Sequence, residues 1–259
     1  MFKAGIREHG MSKDTPQRRG IFYGVGVGPG DPELITLKAV SVLKAVPVLA
    51  VPRSADSEAS LALSIVEKVV GLKDKELLDL SFPMTKDSGV LHKARQQAAE
   101  KVVERLSSGL DVAFLTLGDA LLYSTFSYLV PLVRERMSNV EVRVVPGVTS
   151  ISAATAALVL PLAEADEQVR IMPASYAMNE ATEALDGQGT VVFMKVNKVF
   201  DKLKALLREK RLLGNAALVS RAGWPDEEII EDLNTIADSQ RLDYFSIVIV
   251  RKGGRHAAF

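Results

Sequence analysis

The stretch GVGVGPGDPELITLKA, residues 24–39, packs four glycines and a proline into its first eight residues, between an apolar run and a helical pattern. A strand that turns on bare backbone into a helix is the first unit of a parallel α/β sheet, and such turns admit ligand phosphates at the helix N-terminus. The dinucleotide fingerprint requires G-x-G-x-x-G. Counted from Gly24 the third place holds Pro29, and counted from Gly26 it holds Asp31. Both registers fail, and Asp31 would face a pyrophosphate as a like charge. The lysine and hydroxyl of a P-loop are also missing, so the turn reads either as a plain tight turn or as a seat for a ligand without phosphates.

Outward from this turn, short apolar runs alternate with helical stretches. Strands are expected at Phe22–Val27, Val48–Val51, Leu77–Leu80, Val112–Leu117 and Val142–Val145. Asp31 is expected to cap the first helix, with Pro32 at its first position and Ile35, Ala39, Val42 and Val46 on one face. A second helix carries Leu61, Ile65 and Val69 and ends at Gly71; a third carries Leu91, Ala94, Ala98, Val102 and Leu106 and stops before Gly109. Pro131 falls seven residues into the apparent YSTF helix, which must therefore start later or kink. After PGVTS the grammar changes to apolar runs at Val169–Met172, Thr190–Val196, Ala216–Val219 and Ile247–Val250, with one long helix from Asn197 to Gly214. The expectation is two α/β domains, the first (residues 20–148) Rossmann-like with a mostly parallel sheet, the second (149–259) with a mixed or antiparallel sheet.

Composition narrows the function. The 259 residues carry 32 basic and 32 acidic side chains, which disfavours a nucleic-acid surface. Cysteine is absent, which removes disulfides, thiolate metal sites and a cysteine nucleophile. No apolar run is long enough for a membrane span, and the polar leader, residues 1–19, reads as a flexible tail in which Met11 is an alternative start. The reading is cytoplasmic. The three histidines, His9, His92 and His256, are too scattered for a metal site.

A second turn, LTLGDALLYST at 115–125, also leaves its strand through a Gly-Asp pair, and the carboxyl ends of parallel strands share one edge. Together GVGVGPGDPELITLKA, LTLGDALLYSTFSYL and VVPGVTSISAATAALVLPL resemble the successive motifs of the tetrapyrrole methylases. The resemblance spans about residues 21–251 and implies S-adenosylmethionine-dependent methyl transfer in a cleft between two α/β domains of a homodimer. Within the family, YSTF, VPRS and SRAGWPDEEI look most like the branch that methylates C-20 of a precorrin-2 or cobalt-factor II acceptor. Other ring positions, uroporphyrinogen III and non-tetrapyrrole acceptors stay open, as does a binding module without turnover. Val51-Pro52-Arg53 stands where uroporphyrinogen methylases usually carry Tyr-Asp-Arg.

By the same resemblance the cofactor is contacted by Pro29 in the first turn and by Leu117, Gly118, Asp119 and Leu122 in the second. Ser124 and Thr125 of YST, Thr149 and Ser150 after the Pro-Gly turn, Met194 of VVFMKV and Ala222 of SRAG complete the set. Ala120 departs from the Gly-Asp-Pro of most members. Asp119 can accept from the cofactor's ribose or amino group, or cap the segment behind it; Ser124 and Thr125 can equally be helix caps. Displacement of a neutral thioether needs alignment more than an acid or base, so no catalytic residue is named. An acceptor fringed with carboxylates needs cations, for which Arg53, Lys86, Lys195 and Arg221 are the candidates.

Overall fold

The computed structural model describes residues 18–54, 60–85, 87–237 and 240–252. Most of the leader, with His9, and also Lys86 and His256 lie outside the described residues.

The first half runs β1 (Ile21–Gly26), α1 (Leu37–Ala45), β2 (Val48–Ser54), α2 (Leu61–Val66), β3 (Glu76–Phe82), α3 (Ser88–Ser107), β4 (Val112–Thr116), α4 (Phe126–Arg136) and β5 (Glu141–Val145). Its five strands are all parallel, in the order β3-β2-β4-β1-β5. One face packs Phe22, Ala50 and Phe114 under α3 and α4. The other packs Val25, Leu49, Val51 and Leu115 under α1 and α2. With both faces covered the central strands have no polar side, which is why Val112–Thr116 is buried at every position.

The second half runs α5 (Ser150–Ala157), β6 (Val169–Pro173), α6 (Ala174–Ala177), α7 (Ala181–Asp186), β7 (Gly189–Met194), α8 (Phe200–Glu209), β8 (Ala216–Ser220), β9 (Glu228–Ile230) and β10 (Ser246–Lys252). The sheet order is β6-β7-β10-β8-β9, with only β6 and β7 parallel. One face buries Phe193, Leu218 and Val248 under α7 and α8. The opposite face, with Val192, Val219, Ile247 and Ile249, packs against α5 and against Leu34 and Leu122 of the first half. The mixed sheet is as the sequence suggests.

Three helices differ from expectation. Asp31 caps a single 3-10 turn, Pro32–Leu34, by accepting from the Glu33 N–H at 2.8 Å. Ile35 is then extended, and Thr36 caps α1 by accepting from the Ala39 N–H at 3.1 Å. The expected single helix thus splits, because two capping side chains five residues apart each end an extended segment. The helix expected over 197–214 forms only at Phe200–Glu209, and α2 stops at Val66, before Val69. For Pro131 the late start does not occur: α4 begins at Phe126 and runs on with the proline inside it, leaving the Ser127 carbonyl without its helical donor.

Candidate functional site

In the first sheet β1 and β4 are neighbours whose connections leave in opposite directions, β1 towards β2 and β4 towards β5. This is the switch point of an open parallel sheet, where a crevice forms at the carboxyl ends. Both glycine turns sit there. Gly118 donates to the Gly28 carbonyl at 2.7 Å, Gly28 donates back at 3.3 Å, and Val27 donates to the Thr116 carbonyl at 2.9 Å.

The turn after β5 completes the junction. A Cβ on Gly147 would stand 2.2 Å from the Gly118 carbonyl oxygen, and one on Gly26 would stand 2.6 Å from the same oxygen and from the Gly147 nitrogen. Three backbones therefore touch where any side chain would part them. Asp119 ties the junction: one carboxylate oxygen accepts from the Leu121 N–H at 2.8 Å and the other from the Gly147 N–H at 3.0 Å. Opposite Gly30, where a Cβ would fall 2.4 Å from the indole, Trp224 of the second half donates Nε1–H to the Pro29 carbonyl at 2.8 Å. Trp224→Phe keeps the ring contact and removes this bond. It is expected to cost about 1 kcal/mol of stability, read from denaturant unfolding.

Of the residues expected to contact a cofactor, Leu122, Met194 and Ala222 meet in one apolar cluster with Ile151, Ala153 and Ala154 of α5. Pro29 and Gly118 are buried in the junction, and Leu117 packs towards the α1 and α2 side of the first sheet. Thr149 caps α5 by accepting from the Ser152 N–H at 3.1 Å, and Ser150 is the first helical residue behind it. Ser124 is turned inward: its hydroxyl accepts from the Phe126 N–H at 3.0 Å and lies 3.3 Å from that of Thr116. Thr125 holds the cap position of α4 without a side-chain bond. The side chains gathered here are mostly apolar, and the residue opening the segment behind the glycine turn is an acid, Asp31. That donor set suits an uncharged aromatic or thioether group and not a phosphate.

The cations separate. Arg53 pairs with Asp79 at 2.5 Å, and Arg221 with Asp226 at 2.7 Å, holding that carboxyl below the usual range. Lys195 follows β7 directly, its Nζ 5.6 Å from the Tyr123 ring centre and 5.9 Å from that of Tyr176. Burial pushes its ammonium pKa down. Gly26, Gly147, Trp224, Tyr123 and Tyr176 are the residues that sequence reasoning does not assign. The glycine turn itself, the Pro-Gly turn before α5 and the single tryptophan are the signals for the first three.

Residues 22–237 match the tetrapyrrole (corrin/porphyrin) methylases. The chain is 40% identical, over 89% of its length and 95% of the relative's, to a probable cobalt-precorrin-2 C(20)-methyltransferase of Methanocaldococcus jannaschii. It is 34% identical, over 92% and 99%, to the cobalt-precorrin-2 C(20)-methyltransferase of Salmonella typhimurium. Among solved structures, the uroporphyrin-III C-methyl transferase of Thermus thermophilus complexed with S-adenyl homocysteine superposes with a TM-score of 0.64 at 25% identity, covering 90% of this chain and 97% of that one.

Proposed function

This chain belongs to the tetrapyrrole methylase family, and from that premise we propose that it transfers a methyl group from S-adenosylmethionine to C-20 of cobalt-precorrin-2, in cobalamin biosynthesis. The observation that carries the acceptor is the likeness to the Methanocaldococcus jannaschii relative, which extends over 89% of this chain and 95% of the relative. The apolar cluster where the halves, divided near Val148, meet supports the cofactor. Leu122, Met194 and Ala222 offer a floor for the adenine and thioether, Pro29 and Gly118 the backbone wall, and Thr149 the rim.

S-adenosylmethionine supplies, when bound, a methyl already activated on a sulfonium with a neutral leaving group. The residues of this chain then have to align and desolvate. Pro29, Gly118, Leu122, Thr149, Met194 and Ala222 would hold the cofactor, which would supply its methyl group to C-20. Holding the reacting atoms in line can supply roughly 7–11 kcal/mol of the barrier, so a rigid junction of three backbones is a fitting scaffold.

Among the described residues no helix is long and apolar enough to cross a membrane. We place the enzyme in the cytoplasm as a homodimer; absence of cysteine suits a reducing compartment. Incubation with radiolabelled cofactor and either cobalt-precorrin-2 or its metal-free counterpart tests the assignment. Label is expected in the acceptor, faster with the cobalt form. Tight cofactor binding without incorporation into either would make the protein a binding module.

A further inference from the structure

The parallel pair β6 and β7 brings two strand ends to the edge of the second sheet that meets the β4 turn. Tyr176 lies in α6 directly after β6, and Lys195 directly after β7. Tyr123 arrives from the β4 turn and donates its phenol to the Ile171 carbonyl of β6 at 3.2 Å. Tyr244 joins them; its phenol pKa is raised by burial and by Tyr176 beside it. Two of the chain's five tyrosines, Tyr123 and Tyr176, thus flank one ammonium, and a third, Tyr244, lies beside Tyr176.

Two features of this cluster are costly. Lys195 and Tyr123 hold φ of +57° and +52°, a left-handed conformation that disfavours side chains by about 1–2 kcal/mol each. Such strain persists where the surrounding structure requires it and clusters at ligand sites. Moreover, the Lys195 ammonium is half withdrawn from water, and among the described residues no carboxylate lies within ion-pair distance of it. Aromatic faces near 6 Å offset only part of that desolvation.

We propose that Lys195, positioned between Tyr123 and Tyr176, is the anchor for a peripheral carboxylate of the tetrapyrrole and so fixes which meso carbon meets the methyl group. This rests on the methyltransferase reading. A carboxylate could come from the acceptor or from the amino-acid end of the cofactor, and the geometry favours the acceptor. Met194 faces the apolar cluster, while the next residue, Lys195, stands among tyrosines that remain 45% (Tyr123) and 71% (Tyr176) exposed. That is an open aromatic wall suited to a flat macrocycle.

The test is equilibrium binding of cobalt-precorrin-2 in the presence of S-adenosylhomocysteine, read by quenching of the single tryptophan, Trp224. This needs no turnover, so it is independent of whether the wild type methylates the compound. Lys195→Gln is expected to weaken acceptor binding about tenfold, as loss of one charge-assisted bond would. Cofactor affinity by calorimetry and the melting temperature should be unchanged, and Lys195→Arg should restore most of the loss. With the acceptor's carboxylates esterified, wild type and Lys195→Gln should bind alike. Unchanged acceptor affinity in Lys195→Gln, or an equal loss of cofactor affinity, would overturn the assignment. Wild-type binding without methylation would count against the proposed function and leave the anchor standing.

Discussion

Gly147→Ala is expected to be strongly destabilising, because its single added methyl group would wedge apart three backbones. Its Cβ would lie 2.2 Å from the Gly118 carbonyl oxygen and 2.8 Å from the Gly26 carbonyl carbon, and all these atoms are backbone at the ends of three paired strands. No rotamer change relieves such an overlap; the β5 turn must move away by an ångström or more. Overpacking a core ordinarily costs 1–3 kcal/mol, and here the yielding groups also carry ladder and turn hydrogen bonds, so about 4 kcal/mol is expected. That is a large share of a typical domain's stability. Denaturant unfolding should show it, and methyl transfer should fall below detection in whatever fraction stays folded. Wild-type stability in Gly147→Ala would mean that the three turns are not in backbone contact.

Asp119→Ala has the second largest effect, and its form discriminates between two roles. As a ligand to the cofactor alone, Asp119 would cost affinity when removed and leave the fold intact. In the structure both its oxygens already accept backbone N–H groups, from Leu121 and from Gly147. Its loss therefore frees two donors at the mouth of the crevice. Hydrogen bonds to a charged group are each worth about 1.5–3 kcal/mol, and partial exposure lowers the sum to roughly 3 kcal/mol. We expect kcat/KM to drop on the order of 100-fold together with a lower melting temperature. Asp119→Asn should be only partly protective, since an amide presents one acceptor and one donor to two N–H groups. A fall in cofactor affinity with an unaltered melt would instead favour a direct ligand.

Much of the first half was legible because its signals are local. Glycine turns, caps and period-two or period-3.6 apolar patterns all act within about ten residues, and the five parallel strands lie close to where those patterns put them. Capping competition was harder to read: Asp31 and Thr36 are both good caps, and the pattern alone does not say that each is used. The purpose of the glycines was not legible. Gly26, Gly118 and Gly147 are far apart in sequence and meet only because the strand order puts β1 between β4 and β5.

The same applies to the site. Leu122, Met194 and Ala222 come together across a fold that no spacing rule connects. Among the three described cations, Arg53 is paired by Asp79 of another strand and Arg221 by Asp226 five residues on, and Lys195 stands out only in three dimensions. The turn GVGVGPGD reads in sequence as a plain tight turn or as a seat for a phosphate-free ligand; in the fold Gly26 and Gly28 make it one wall of a junction, and Gly30 admits the Trp224 ring.

The central claim is methyl transfer to one carbon of one macrocycle. Incubating the protein with cobalt-precorrin-2 and S-adenosylmethionine carrying carbon-13 in its methyl group, then locating the label by NMR, tests it directly. A single new methyl at C-20, with loss of the C-20 proton signal, is the predicted result. Label at any other ring carbon, or an unlabelled acceptor beside cofactor-saturated protein, would contradict it.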